Sequence, residues 1–252
     1  MRKPLALLIA FAGLLNSGLY AMGFTEDPQE KLTKTFVLAP VRTLEIRGEI
    51  EFELLPGPTP QVTVEASRAL FDQLNVSNWW GSATIAIESG LRGPREQGSV
   101  KIKVTLPSLQ ELTVTDHSTG HVVWPGTQGA LRITEASAAV IELAGTDFSV
   151  STSWMTRVIL KGQSTKLRLD LRHQSQIDTR ELAADEVQIA LDESSVLESG
   201  PIVQGSGTVR HLSRITVAGE KGWEPLEVKE GSVKVVRGEA TAKPDAPPAP
   251  EN

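Results

Sequence analysis

Residues 185–200 read DEVQIALDESSVLESG, and this stretch decides how the chain folds. Apolar residues alternate with polar ones at Val187, Ile189 and Leu191, a pattern typical of a β-strand with one buried face. Four polar residues follow at 192–195, and apolar character resumes at Val196. Acidic and hydroxyl side chains placed side by side can form a chemical site, or they can form the turn between two strands.

The same arrangement recurs along the second half of the chain. An apolar-x-apolar pair begins five times, at separations of 19, 17, 19 and 20 residues. The first members of these pairs are Leu112, Leu131, Phe148, Leu167 and Val187. Ten residues after each of them stands another apolar residue, in order Val122, Ile141, Val158, Ile177 and Leu197. A period of about 20 residues is typical of solenoid proteins.

Small or polar residues separate the two apolar marks in most repeats. They read HSTG at 117–120, ASAA at 136–139, HQS at 173–175 and ESS at 193–195. The third repeat differs because Trp154 and Met155 stand in the corresponding place, and HLSRITV at 211–217 forms a degenerate sixth unit. We therefore predict that DESS at 192–195 is one corner in a series.

The repeat predicts an all-β fold, a β-solenoid-like stack of short strands with an N-terminal β segment. A single coil of such a repeat cannot bury its own apolar face, so it must stack on its neighbours. The five first members should then form one interior column. An antiparallel sandwich, built from the same strands with hairpin turns, is the less favoured alternative.

The N-terminal half of the chain also alternates with period two. Strands are predicted at 35–38, 44–55, 61–66, 73–77, 83–89 and 99–106. The helical pattern SRALFDQL at 67–74 is too short to suggest alternating strands and helices, so an α/β fold is disfavoured. We predict a single β domain at 24–237, with its repeats at about 108–217.

The two ends of the chain differ from the β domain in composition. Two basic residues precede an apolar run at 5–15, which is too short to span a bilayer, and cleavage after Gly23 would follow the small residue Ala21. We predict a cleaved secretory signal peptide at 1–23, with an uncleaved anchor as the alternative. Residues 238–252 mix proline, alanine and charge, and are predicted to form a disordered tail.

Composition and charge limit the kinds of partner. The chain has no cysteine, so neither a disulfide nor a lipid-bearing thiol is available. Its formal net charge is −6, and loss of the two basic residues of the signal peptide would make it about −8. Nucleic acid is not an expected partner, because binding to it depends on neutralising phosphates. No later stretch reaches membrane-span length, so membrane contact is expected only through export.

The chain resembles the GIN domain of bacterial envelope proteins, described as the auto-transporter adhesin head domain. The resemblance covers roughly residues 36–217 and is carried by LEIRGEIEFELLPG (44–57), VKIKVTLPSLQELTVTDHSTGHV (100–122) and ADEVQIALDESSVLESG (184–200). The residues that match the family's small-residue corners are Ser118, Gly120, Ser194, Ser195 and Ser213. The resemblance implies a right-handed β-solenoid-like fold, export, and adhesion or binding, and it carries over no catalytic residue.

The sequence gives little support for catalysis or metal binding. His117 and His121 lie four residues apart, but a strand-and-turn segment does not place them on one face as a helix would. GQSTK at 162–166 and GSG at 205–207 do not match the serine nucleophile elbow. Glycan cleavage needs paired carboxylates, and the available ones recur at no common offset in the repeat. These are Asp116, Glu135, Asp170, Asp178, Asp192 and Glu193. We expect no catalytic residue, no metal and no cofactor.

Binding is the function that the aromatic residues favour. Trp79 and Trp80 lie between turn residues in VSNWWGS, and Trp124 precedes Pro125 and Gly126. Because adjacent strand residues point to opposite faces, at most one of Trp79 and Trp80 should be buried. An exposed indole can contact a sugar or a protein, or it can cover an open end of the solenoid. Trp79, Trp80 and Trp124 are the candidate ligand-binding residues.

The sequence thus predicts an exported, non-enzymatic cell-envelope protein, located in the periplasm, at the outer-membrane periphery or outside the cell. We expect it to act as a binding or adhesion-type module whose partner is a glycan or an envelope protein. Two alternatives stay open: a structural scaffold without a specific ligand, and a β-helix enzyme that cleaves glycans. The sequence leaves the oligomeric state open as well.

Overall fold

The computed structural model describes residues 30–87, 99–200, 202–218 and 222–236. Within them the chain forms one continuous β-structure with a single short helix, and no described helix is long and apolar enough to cross a membrane. The predicted signal peptide at 1–23 and the predicted tail at 238–252 lie outside the described residues.

The elements of the N-terminal segment are β1 (Lys31–Val37), β2 (Thr43–Arg47), β3 (Ile50–Pro56), β4 (Gln61–Ser67), α1 (Arg68–Phe71), β5 (Leu74–Trp79), β6 (Ser82–Ile87) and β7 (Val100–Leu106). The repeats contain β8 (Glu111–Thr115), β9 (Thr119–Val123), β10 (Gln128–Thr134), β11 (Ala138–Ser153), β12 (Arg157–Leu171), β13 (Gln176–Leu191), β14 (Val196–Ser199), β15 (Ile202–Arg210), β16 (Arg214–Ala218), β17 (Trp223–Lys229) and β18 (Ser232–Val236).

Two sides of the stack are built from parallel strands. On the first side, β6, β2, β8, β10 and the C-terminal halves of β11, β12 and β13 pair in that order, followed by β15 and β17. On the second side, β7, β3, β9 and the N-terminal halves of β11, β12 and β13 are followed by β14, β16 and β18. Parallel pairing confirms the β-solenoid-like stack and rules out the sandwich, whose hairpin-connected neighbours would be antiparallel. Its right-handedness stays a prediction.

The N-terminal segment adds antiparallel strands at one end of the stack. β4 pairs with β7 and carries β1 on its other edge, while β5 pairs with β6. The strand predicted at 44–55 is two strands, β2 and β3, because the chain turns between the two sides at Gly48, where φ is 103°. The strand predicted at 73–77 extends to Trp79, and the end of the one predicted at 83–89 lies outside the described residues.

The interior columns differ from the predicted ones by two residues at one rung. Leu131 pairs with Val150 rather than with Phe148, and Ile141 pairs with Leu160 rather than with Val158. The observed column runs Leu112, Leu131, Val150, Leu169 and Ile189. The five residues predicted to form this column are all buried, so their predicted burial is confirmed and their predicted alignment in one column is wrong.

Gly129 and Trp124 explain the two-residue difference. Gly129 is the residue that pairs with Phe148, and it has no side chain to contribute to the column. The Trp124 ring occupies that space, because a Cβ added at Gly129 would lie 2.0 Å from a Trp124 ring atom. The apolar pair of this rung therefore begins at Leu131, one inward position later. Period-two alternation cannot detect such a shift, since a shift of two residues keeps every side chain on the same face.

Six corners between the two sides have the same backbone. Two consecutive residues adopt left-handed φ values, and they are Asp116–His117, Glu135–Ala136, Trp154–Met155, His173–Gln174, Glu193–Ser194 and His211–Leu212. A buried Ser or Thr follows each pair, and these are Ser118, Ser137, Thr156, Ser175, Ser195 and Ser213. The hydroxyls of Ser175 and Ser195 donate to the carbonyl oxygen three residues earlier, both at 2.6 Å. The prediction that DESS at 192–195 is a serial corner is confirmed.

Candidate functional site

The tryptophan hairpin, which consists of β5, β6 and the two residues between them, presents two indoles to solvent. Trp79 is 75% exposed and Trp80 is 90% exposed. Their rings lie edge to face, with centroids 6.3 Å apart and planes at 67°. The prediction that at most one of them is buried is confirmed, and neither is in the core.

The turn of the hairpin explains this double exposure. Trp79 pairs with Ser82, so the connecting loop is Trp80 and Gly81 alone, with φ values of 51° and 82°. Two positive φ values define a type I′ turn, in which Asn-Gly is strongly preferred. Strand alternation does not apply inside a turn, so Trp80 is free to point into solvent beside Trp79. Trp80 therefore occupies the turn position at which asparagine is preferred.

The rest of the stack holds this hairpin in place. β6 pairs with β2 from Ser82 to Ala86. The backbone N–H groups of Arg42 and Thr43 donate to the carbonyl oxygen of Gly81 at 2.7 and 3.1 Å. Both indoles are therefore presented from a turn that is hydrogen-bonded to the scaffold, the usual arrangement for recognition residues on loops.

Trp124 lies in the core, which corrects its assignment as a ligand-binding residue. Its side chain is only 4% exposed, and its Nε1–H donates to the carbonyl oxygen of Gln128 at 3.0 Å. Its ring packs edge to face on Phe148, with centroids 6.0 Å apart. The Pro-Gly turn after Trp124 suggested that the indole is exposed. Instead, Gly129 leaves a space in the interior column, and the indole fills that space.

A second surface, the corner ridge, follows one edge of the stack. It consists of the first residue of each of the six left-handed corners, together with Glu230, the single left-handed residue that continues their ladder. These residues are Asp116, Glu135, Trp154, His173, Glu193, His211 and Glu230. A backbone ladder holds these residues in line, because the N–H of the second corner residue donates to the carbonyl oxygen of the first one in the next rung. Examples are Ala136 to Trp154 at 2.8 Å and Met155 to His173 at 2.9 Å. Successive ridge side chains are therefore spaced by about one strand separation, about 4.8 Å.

The ridge corrects the prediction that the carboxylates share no offset in the repeat. Asp116, Glu135 and Glu193 all occupy the first corner position. A hydrogen bond with Asp116, together with the charge of that group, raises the pKa of Glu135 above its ordinary value. Two carboxyl groups that share a proton form the acid-base dyad of some enzymes, but this pair lies on an exposed corner and not in a groove.

Histidines and carboxylates pair along the other half of the ridge. His173 Nε2 lies 2.8 Å from Glu193 Oε2. His211 bonds through Nδ1 to a carboxylate oxygen of Asp192. That hydrogen bond lowers the pKa of Asp192 and raises the pKa of His211. At this end of the ridge the carboxylates are therefore bonded to histidines, whereas Asp116 and Glu135 at the other end are bonded to each other.

Trp154 and Met155 are surface residues that the sequence-based candidates omit. They are 55% and 64% exposed, and the Trp154 ring stacks on the His173 ring with centroids 4.2 Å apart and planes at 6°. A signal was present in the sequence, because these two residues interrupt the small and polar corners. The repeat alone did not show that the corner side chains face solvent.

A shallow groove crosses the second side near its N-terminal end. Its volume is about 690 Å³, and its walls include Glu51, Glu53, Lys101 and Lys103. Each lysine Nζ lies 3.1 Å from a glutamate oxygen of the neighbouring strand, Lys101 with Glu51 and Lys103 with Glu53. These ion pairs are exposed, and they already occupy the charged groups of the groove. The groove is therefore a weaker candidate binding site than the two aromatic surfaces.

The histidines do not assemble into a metal centre. Within the residues described, no group of three or more His, Asp or Glu side chains is arranged to hold a metal ion. His117 lies in a corner, whereas His121 lies on β9 with Nε2 3.0 Å from an oxygen of Glu142.

A stack of parallel strands linked by serial corners defines a β-solenoid-like protein. The chain belongs to the family described as "Putative auto-transporter adhesin, head GIN domain", whose model matches residues 41–220. This match confirms the resemblance found in the sequence.

Solved structures share the fold at low sequence identity. A "putative adhesin" from Bacteroides fragilis NCTC 9343 has a TM-score of 0.71 and 14% identity over 82% of this chain and 97% of its own. A "putative lipid binding protein" from Parabacteroides distasonis ATCC 8503, with the same identity and coverage, has a TM-score of 0.58. A "putative adhesin" from Parabacteroides merdae ATCC 43184 has a TM-score of 0.55 and 12% identity over the same shares. No curated protein matches the chain.

Proposed function

We propose that the protein is an exported, non-enzymatic adhesion-type module of the cell envelope that recognises a glycan through Trp79 and Trp80. The family description supports adhesion and a surface or envelope location. The observation that carries the proposal is the exposure of two adjacent indoles on one anchored turn. Large exposed apolar side chains that adjoin each other mark interaction sites.

Packing does not account for these two residues. Neither ring lies in the core, so neither contributes the burial that stabilises a tryptophan elsewhere in the fold, such as Trp124. Trp80 also occupies a left-handed turn position, which costs backbone energy for a bulky side chain. Function is the remaining reason for a tryptophan at this position.

The chemistry of the hairpin favours an uncharged ligand. Residues 74–87 include no acidic or basic side chain. The hydroxyls of Ser77 and Ser82 are exposed near Trp79, Ser82 directly opposite it in the strand register. An indole plane offers an apolar platform with little conformational entropy to lose, and hydroxyls can exchange hydrogen bonds with sugar hydroxyls. This combination suits the mixed apolar and hydroxylated faces of a neutral sugar.

The array experiment tests this function directly. The protein is applied to a glycan and cell-wall array together with its Trp79→Ala and Trp80→Ala variants. We expect selective binding by the unchanged protein and a loss of roughly 30-fold in each variant, the size typical of a central interface tryptophan. Leu212→Ala is the matched control, because Leu212 is 80% exposed on a distant corner, and its binding should be unchanged.

Two results would reject the proposal. The first is an array without a signal from folded protein, which would favour a structural scaffold. The second is binding that both tryptophan variants retain, which would place the ligand on another surface. Release of shortened glycan products from the array would instead support the glycan-cleaving alternative.

A further inference from the structure

The Trp154–Met155 corner differs from its neighbours in a way that the fold does not require. The corners before and after it have the same left-handed backbone with Glu135–Ala136 and His173–Gln174. These corners also share the backbone ladder and the buried Ser or Thr that follows each left-handed pair. A polar or small pair is therefore sufficient to build this turn, and no other described corner places two large apolar side chains there.

Both side chains are placed at an energetic cost. Trp154 and Met155 have φ values of 63° and 59°, a region that bulky residues rarely adopt. Each remains more than half exposed, so little burial offsets that cost. The Trp154 ring stacks on the ring of His173, which orders the indole and covers one of its faces, while Trp154 as a whole stays more than half exposed. The result is an oriented, accessible aromatic surface next to a flexible thioether.

The charges along the ridge indicate which kind of ligand this surface binds. The ridge neighbour of Trp154 on the side away from His173 is Glu135, which is hydrogen-bonded to Asp116. No salt bridge to either carboxylate occurs within the described part of the chain, although the charges of Arg47 and His117 act on Glu135, whereas Glu193, beyond His173, is paired. A cation over the indole would meet the ring's negative face and the nearby carboxyl pair of Glu135 and Asp116 together. The net charge of −6 adds a long-range attraction of the same sign.

We propose that Trp154 and Met155 form a second contact surface, on which a lysine or arginine side chain of a partner protein rests against the indole beside the carboxylate of Glu135. The exposed methionine suits a protein partner, because its flexible, polarizable side chain adapts to varied apolar stems. The surface goes beyond the proposed glycan recognition. The tryptophan hairpin turns at the start of the first-side strands, and the ridge lies at their ends, so both surfaces can be occupied at once.

The test follows the indole N–H signals of the full chain by two-dimensional NMR. The probes are the acetylated, amidated peptide GKGKG, its acidic counterpart GEGEG, and chitohexaose as a neutral oligosaccharide. We expect GKGKG alone to shift the Trp154 signal saturably, more weakly at high salt because the attraction is electrostatic. The variant Trp154→Glu/Met155→Ala copies the preceding corner, and its binding is followed by calorimetric titration because it lacks the Trp154 signal. It should bind GKGKG at least about tenfold more weakly than the unchanged protein in the same titration, with a melting temperature that is not lowered.

Further variants keep the test decisive. Trp154→His copies the following corner and replaces the double variant if that one fails to fold. Trp80→Asn removes one of the two hairpin indoles and should leave GKGKG binding intact, which separates this surface from the proposed glycan site. The inference is overturned if GKGKG causes no shift, if GEGEG or chitohexaose shifts Trp154 equally, or if GKGKG binding survives in the corner variants.

Discussion

Trp124→Ala should lower the free energy of unfolding by about 3–5 kcal/mol, the range typical of removing a large aromatic side chain from a core. The indole is almost fully buried, contacts Phe148 and fills the space that Gly129 leaves in the interior column. Gly129→Leu should also destabilise the protein, because its Cβ would lie 2.0 Å from the Trp124 ring. Urea unfolding at equilibrium measures both.

The double variant Trp124→Ala/Gly129→Leu distinguishes packing from local damage. Leucine at 129 would continue the column formed by Phe148 and Leu167, in the space that the indole vacates. We therefore expect the double variant to be more stable than the sum of the two single losses by about 1–3 kcal/mol, since contacting residues couple by that amount. If the losses of stability in the two single variants simply add in the double variant, the two residues do not share this space. The pairing of Gly129 with Phe148 would then be incorrect.

Gly162→Ala should produce the second large loss, of about 3 kcal/mol or more. Gly162 has a φ of 97°, and a Cβ at this position would lie 2.2 Å from the carbonyl oxygen of Leu143 in the adjacent rung. The strand would have to move away from its neighbour, and hydrogen bonds of the ladder would be lost with it. Thermal unfolding followed by circular dichroism measures the change.

Gly126→Ala is the matched control for that substitution. The nearest atom to a Cβ at Gly126 is 3.5 Å away, an ordinary contact, and its φ is not left-handed. Its stability should not fall, and a gain of up to about 1 kcal/mol is consistent with a less flexible unfolded chain. Equal losses at both positions would contradict the close stacking of rungs at Gly162.

Period-two alternation predicts which residues face the core, and this part of the fold was accessible from the sequence. Leu112 and Phe148 are buried as predicted. Their alignment was not accessible, because a shift of two residues preserves the pattern, and only the packing of Trp124 over Gly129 determines it. The break at Gly48 was hidden for a similar reason, since apolar residues alternate on both sides of the glycine.

The candidate surfaces were accessible only in part. The exposure of Trp79 follows from its position near a turn, but the exposure of Trp80 depends on a two-residue loop that alternation does not reveal. The core position of Trp124 depends on a glycine five residues away. Trp154 was visible as an exception in the repeat, but its meaning appears only when the neighbouring corners are aligned in space.

The most direct test of the claim that the turn tryptophans serve binding is to measure stability and glycan binding on the same preparation of Trp80→Asn. Asparagine before Gly81 completes the preferred type I′ turn, so the free energy of unfolding should rise by about 0.5–1 kcal/mol. Glycan affinity should fall at least about tenfold, because an exposed indole is lost. A variant that is less stable, or one that binds as well as the unchanged protein, would contradict that claim.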